Sequence, residues 1–156
     1  GGQRCDALVK NVDIPMTIAS YLQVAAPAEF DGRDLLPLVR GGTHKGYDEV
    51  YVETGFETCK RAIITEDGWK MIKTIDDGPY PPAPPIELYH LCQDPNESTN
   101  LAAREPDKVA ELELRMLHWL ETNLGNRPDP LRLRAHMGPV GRLAPYYGHI
   151  YTSRKG

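Results

Sequence analysis

Apolar positions recur along this chain with two periods, and the period changes where prolines and glycines cluster. From 106 to 124, Val109, Leu112, Met116, Leu117, Leu120 and Leu124 form a stripe at helical spacing. Pro106 suits the first helical position, Asp107 suits the positive end of the helix dipole, and Gly125 suits the position just past the end. The pattern predicts a long helix over 106–124. Over 13–24, Ile14, Ile18 and Leu22 recur with Tyr21 beside them, which predicts a second helix with Asp13 as N-cap and Pro15 in its first turn. The segment "RDLLPLVRGG" reads as a short helical piece closed by paired glycines.

Between these helices the period falls to two. "DEVYVET" (48–54) sets Val50 and Val52 on one face against Tyr51 and Glu53. "CKRAIITE" (59–66) and "WKMIKTI" (69–75) flank Asp67-Gly68, a strong hairpin signal. "DDGPYPPAPP" (76–85) is an extended loop, because proline fixes φ and removes a donor. "IELYHL" (86–91) is the last strand. The fold class expected is α+β: an antiparallel sheet of about four strands packed against the long C-terminal helix, with an N-terminal helix and an extended basic tail. In "ELYHLCQDPNESTNLA" (87–102), Asp94-Pro95 turns the chain and Leu101 anchors its return, so the stripe of the long helix lies back across the sheet. The small sheet is not expected to cover helix 13–24 as well, which leaves apolar surface exposed.

Composition bounds the class without naming a chemistry. At 156 residues, 40% hydrophobic and 26% charged, the chain suits one compact domain, or a domain with a tail. No apolar run approaches bilayer length, and "GGQRCDALVK" lacks a signal-peptide core, so no membrane partner is expected, and no nucleic-acid partner either. The Gly-Gly start, with the first Met at Met16, reads as a processed or truncated piece of something longer. Cys5, Cys59 and Cys92 are odd in number and lack Cys-x-x-Cys spacing. They are expected to be buried free thiols, which leans towards a reducing, cytoplasmic compartment. Charge is unevenly spread. Residues 126–156 carry +5, leaving −9 on the remainder of a chain whose formal total is −4. That tail is also rich in aromatic and aliphatic residues, so it is expected to dock on the acidic body or on a second copy of the chain, without regular structure after Gly125.

Candidate chemistry is sparse. There is no Gly-x-Ser-x-Gly elbow and no glycine-rich phosphate loop. His44, His90, His118, His136 and His149 lack metal-ligand spacing; His90 and His118 read as packing or surface residues. Asp76-Asp77 belongs to a turn, and Asn96-Glu97-Ser98, although it fits a glycosylation sequon, reads as turn too. Arg61, Lys70 and Lys73 alternate along the hairpin as a solvated face, or as a basic strip that meets an anion.

The order of these segments carries a resemblance. "NVDIPMTIASYL", "FDGRDLLPLVRG", "VYVET", "KRAIITEDGWKMIK", "ELYHLCQDPNESTNLA" and "LHWLETNL" together resemble the C-terminal subdomain of sulfatases, in the alkaline-phosphatase-like superfamily, over about residues 8–124. One departure is that Pro15 stands one position early against the usual Asp-x-x-Pro-Thr. The resemblance implies a piece of a larger α/β sulfatase fold. Residues 1–47 would be a helix and linker joining an absent N-terminal catalytic domain, 48–125 the sheet-and-helix subdomain, and 126–156 a basic docking tail. It implies sulfate-ester hydrolysis for the parent enzyme, with a divalent cation (calcium or magnesium) and a formylglycine in that absent domain. A related phosphodiester, phosphonate-ester or sulfamate hydrolase is the alternative, as is a free-standing binding module. The family's Cys/Ser-x-Pro-x-Arg motif starts at none of the three cysteines, so no catalytic or metal-binding residue is expected here and the role expected is that of a cleft wall. His136, Arg142, Tyr146, Tyr147 and His149 of the tail are the candidates to touch an anionic substrate at the cleft rim.

Overall fold

A computed structural model of the chain describes residue 2, residues 4–41 and residues 45–138. In chain order the elements are α1 (Asp13–Leu22), α2 (Leu36–Val39), β1 (Glu49–Thr54), β2 (Cys59–Thr65), β3 (Trp69–Asp76), β4 (Ile86–His90), α3 (Pro106–Leu124) and α4 (Pro130–His136). The strands form one sheet in the order β1-β2-β3-β4, with β2–β3 and β3–β4 antiparallel. This is the α+β class expected from the sequence. The residues group into two compact units, 1–50 with 65–67 and 51–64 with 68–156.

The larger unit is organised by the hairpin and by α3. Ile63 on β2 stands opposite Met71 on β3, and Met71 opposite Leu88 on β4, so three strands place an apolar side chain at the same level. With Leu112 and Met116 of α3 they make a core from which water is excluded, and Leu101 and Val109 pack on its edge. Leu117, expected in the buried stripe, is half exposed instead; Leu112 and Met116, four residues apart, carry the contact. Gly68 at the hairpin turn has φ +89°, a left-handed conformation that only glycine adopts without strain. A Cβ there would also stand 2.7 Å from the Cys92 Sγ.

The joint between β4 and α3 owes its specificity to two side chains that replace missing backbone partners. The Asp94 carboxylate accepts from the Ser98 hydroxyl and the Thr99 N–H, both at 2.9 Å. The backbone N–H groups of Ser98 and Thr99, helped by the Ser98 hydroxyl, hold its carboxyl below the ordinary aspartate value. Asn100 acts as a piece of strand: its Oδ1 accepts from Leu88 N–H at 3.0 Å and Ala102 N–H at 2.9 Å, and its Nδ2 donates to the Ile86 carbonyl at 3.2 Å. Leu101 then donates to the Leu88 carbonyl and drops into the core. Glu97, at φ +53°, receives Lys70 at 2.7 Å on both carboxylate oxygens.

The smaller unit is built around one carboxylate. Asp13, expected as an N-cap, is the first residue inside α1 and is 0% exposed. It accepts from Lys10 N–H at 2.7 Å, Arg33 N–H at 2.8 Å and the Tyr47 hydroxyl at 2.8 Å. Thr17 extends the network, donating to the Asp13 carbonyl at 2.7 Å and accepting from Leu35 N–H at 2.9 Å. Gly32 makes the approach possible, because a Cβ there would meet the Val12 carbonyl oxygen at 2.1 Å. The Tyr47 ring is flanked by the Lys10 ammonium at 4.1 Å and the Arg33 guanidinium at 3.8 Å from its centroid.

Three expectations are corrected. All three cysteines are free, as expected, but only Cys59 is buried; Cys5 and Cys92 are exposed. Arg61, Lys70 and Lys73 are not a solvated basic strip, since each is neutralised by a carboxylate, Glu53 with Asp129, Glu97 and Glu113 respectively. Arg61 is 4% exposed. And Pro130–His136 is helical where no regular structure was expected.

Candidate functional site

Of the residues expected at a substrate rim, His136 is described; Arg142, Tyr146, Tyr147 and His149 lie outside the described residues. His136 is the exposed last residue of α4, so the site is built by whatever holds that helix in place. Asp129 caps it: its Oδ1 accepts from Leu131 N–H at 2.9 Å, and Pro130 follows at the first helical position. The same carboxylate receives the Arg61 guanidinium through two nitrogens, at 3.2 and 3.0 Å. Burial alone would push the Asp129 carboxyl up, but Arg61 and the Leu131 N–H more than offset this and hold it below the ordinary value. Leu131 is buried, and Arg134 donates to the Gly55 carbonyl at 3.1 Å. Cap, ion pair, apolar anchor and backbone contact together fix seven residues that could not hold a helix alone.

Fixed this way, α4 lines a shallow cleft of about 520 Å³ with the end of β3. Arg132 and His136, four residues apart, share one wall with Ala135; Lys73, Thr74, Ile75 and Asp76 form the other. Lys73 is tied to Glu113 at 2.6 Å, whereas Arg132 is 72% exposed and only 3.8 Å from Asp129 at its nearest approach. The cleft therefore offers one exposed guanidinium and one imidazole, with a carboxylate nearby. Such a set can steer or touch an anion; among the described residues it contains no nucleophile–base pair. His90 and His118 stay outside it. His90 packs edge-on against Trp69, with ring centroids 4.7 Å apart, and His118 lies exposed on α3. Sequence reasoning missed Arg132, Lys73 and Asp76 as neighbours of His136. The Asp129-Pro130 pair was the available signal for the helix that gathers them.

The described residues do not fit the metal or the formylglycine that the resemblance implies for the parent enzyme. Among the described residues no three His, Cys, Asp or Glu side chains stand together as a metal site. The buried carboxylate of Asp13 is occupied by three protein donors, and that of Asp129 by Arg61. No chemical step is assigned to either group here. Among the described residues, no helix is long and apolar enough to cross a membrane.

Comparison with known proteins places this geometry. The family described as N-sulphoglucosamine sulphohydrolase, C-terminal, matches residues 1–123. Arylsulfatase K of Gallus gallus is 30% identical over 123 residues, covering 71% of this chain and 22% of its own length. Arylsulfatase K of Xenopus laevis is 24% identical over 125 residues, covering 74% of this chain and 23% of its own. The chain thus spans between a fifth and a quarter of the curated relatives it matches. Among solved structures, a 2-O GAG sulfatase aligns with a TM-score of 0.62 at 23% identity, over 77% of this chain and 27% of its own. A protein solved with its substrate D-glucosamine-2-N,6-O-disulfate aligns at 0.60 and 23% identity, over 77% of this chain and 25% of its own. At that identity these two speak for the fold. With a family match over most of its length, a curated relative at 30% identity and the same sheet-and-helix fold, this chain belongs to the N-sulphoglucosamine sulphohydrolase C-terminal family and is a sulfatase C-terminal domain.

Proposed function

We propose that this domain completes a sulfate-ester hydrolase whose nucleophile and metal ligands reside in an N-terminal catalytic domain, and that its own part is structural. Residues 1–47 join it to that domain, 48–125 form the supporting wall of the substrate cleft, and 126–156 reach towards the rim. The observation that carries this reading is the family match over residues 1–123. The supporting chemistry is that the α4–β3 cleft holds groups suited to an anion and none suited to attack on sulfur. In this reading Arg132 and His136 meet the charged substrate from the side, joined by Arg142, Tyr146, Tyr147 and His149.

A sulfamate is the second reading, favoured by one observation: the matching family is described by a sulphohydrolase of N-sulphoglucosamine, in which an S–N bond is broken. The curated relatives, arylsulfatases, favour S–O cleavage. The test is turnover by the longer protein that carries this domain, measured in parallel on an aryl sulfate, an N-sulfated glucosamine and an aryl phosphodiester. Release of sulfate from the aryl ester supports the first reading. Release from the N-sulfated sugar alone selects the second, and turnover of the phosphodiester alone overturns both.

A further inference from the structure

Helix α1 turns an apolar stripe outward, since Ile14, Ile18, Tyr21 and Leu22 are each more than half exposed. The larger unit has an uncovered apolar surface of its own. Ile75 of β3 and Met116, Leu117 and Leu120 of α3 line a notch of about 80 Å³, and Arg132 of α4 stands at its side. Leu117 is 50% exposed there. The notch shares Lys73, Ile75 and Arg132 with the α4–β3 cleft, so the two form one groove. Arg61 and Lys73 in this groove are answered by carboxylates, whereas the Arg132 guanidinium is 72% exposed beside an aliphatic lining. A weakly hydrated, planar cation next to apolar side chains is suited to stack on an aromatic ring.

We propose that residues 139–156 of this chain turn back at Gly138 and dock in the groove, with the Tyr146-Tyr147 pair against Leu117, Leu120 and the Arg132 guanidinium. Four features select this occupant. The chain leaves α4 at Gly138, whose φ of +66° is the left-handed conformation that ends helices and reverses their direction. The groove is within reach: the seven residues of α4 span only about 10 Å, whereas residues 139–156 extend to about 60 Å. The chemistry is complementary. Val140, Leu143, Tyr146, Tyr147, Ile150 and Tyr151 match the apolar lining. Arg142, Arg154 and Lys155, with no acid among residues 139–156, suit a body of net negative charge, and Glu121 stands exposed one turn past Leu117. Finally, α4 and residues 139–156 both lie beyond the family match over residues 1–123, so the groove and the segment proposed to fill it occur together.

Photocrosslinking in the longer protein that carries this domain tests the docking. The probe is p-benzoylphenylalanine, placed at position 146 in one variant and at position 147 in another, each prepared as a mixture of light and heavy-isotope chains. Docking predicts that one probe or both crosslink chiefly to residues 113–120 or 132–136 of the same chain. Adding Arg132→Ala, an exposed position, is expected to cut that yield at least fivefold. Chief crosslinks elsewhere on the chain, or to another part of the longer protein, overturn the proposal. So do crosslinks only between light and heavy chains, which assign the groove to a second copy, the absence of a crosslink from both positions, and a yield that Arg132→Ala lowers less than fivefold. Turnover enters none of these readouts, so the docking stands or falls apart from the functional reading.

Discussion

Asp13 concentrates more of the smaller unit's order than any other side chain described. Burial alone would push its carboxyl up; the N–H groups of Arg33 and Lys10 and the Tyr47 hydroxyl more than offset this and hold it below its ordinary 3.8. A depressed carboxylate contributes stability that is fully present above the ordinary value and is lost as pH falls through the folded one. Replacing Asp13→Ala strands two N–H donors and one hydroxyl, at a cost of about 2–4 kcal/mol. Denaturant unfolding followed from pH 7 to pH 2.5 should show the wild-type advantage shrinking below about pH 4. An advantage that is constant across that range would mean that Asp13 acts through packing and not through its charge. None of this was visible beforehand. Asp-x-Pro reads locally as a cap, whereas the actual partners, Arg33 and Tyr47, stand 20 and 34 residues away.

Among the elements, those with local causes were legible in the sequence and those with remote causes were not. Helix α3 has its stripe, its Pro106 and its Gly125 within one window, and its observed bounds match the expected 106–124. The β2–β3 hairpin follows from Asp67-Gly68, and the β4–α3 joint from Asp94-Pro95 and Leu101. Helix α4 is different. It is seven residues long, and its decisive partner, Arg61, lies 68 residues before Asp129. Its existence depends on a contact that no window contains. Two variants test these accounts. Asp129→Ala removes the cap and leaves the buried Arg61 with Glu53 as its remaining paired carboxylate among those described. It should cost about 3 kcal/mol and raise amide exchange across 130–136 first. If exchange there is unchanged, the ion pair does not hold the helix. Gly68→Ala forces a Cβ to within 2.7 Å of the Cys92 Sγ at φ +89°. The expected loss is about 1–3 kcal/mol. Adding Cys92→Ala should recover part of that loss, the steric share, and leave the share due to φ. Full additivity of the two substitutions would contradict the contact.

At the scale of the whole molecule, the described residues combine a well-packed sheet-and-helix core with an outward apolar stripe and without a catalytic constellation. The family assignment was legible because its motifs, "FDGRDLLPLVRG" and "ELYHLCQDPNESTNLA", are themselves structural devices: a glycine that lets a loop approach Val12, an asparagine that completes a strand edge. Of the α4–β3 cleft proposed as a substrate rim, only His136 was legible, because Arg132, Lys73 and Asp76 are gathered there by α4 and β3 and not by sequence proximity. The central proposal is that this domain supports catalysis by a longer protein and does not perform it alone. Its most direct test is turnover of an aryl sulfate by the pure 156-residue chain, with calcium, magnesium or manganese supplied in turn. The account predicts no metal-dependent sulfate release above the uncatalysed background. Metal-dependent release that a single substitution within residues 1–156 abolishes would contradict it.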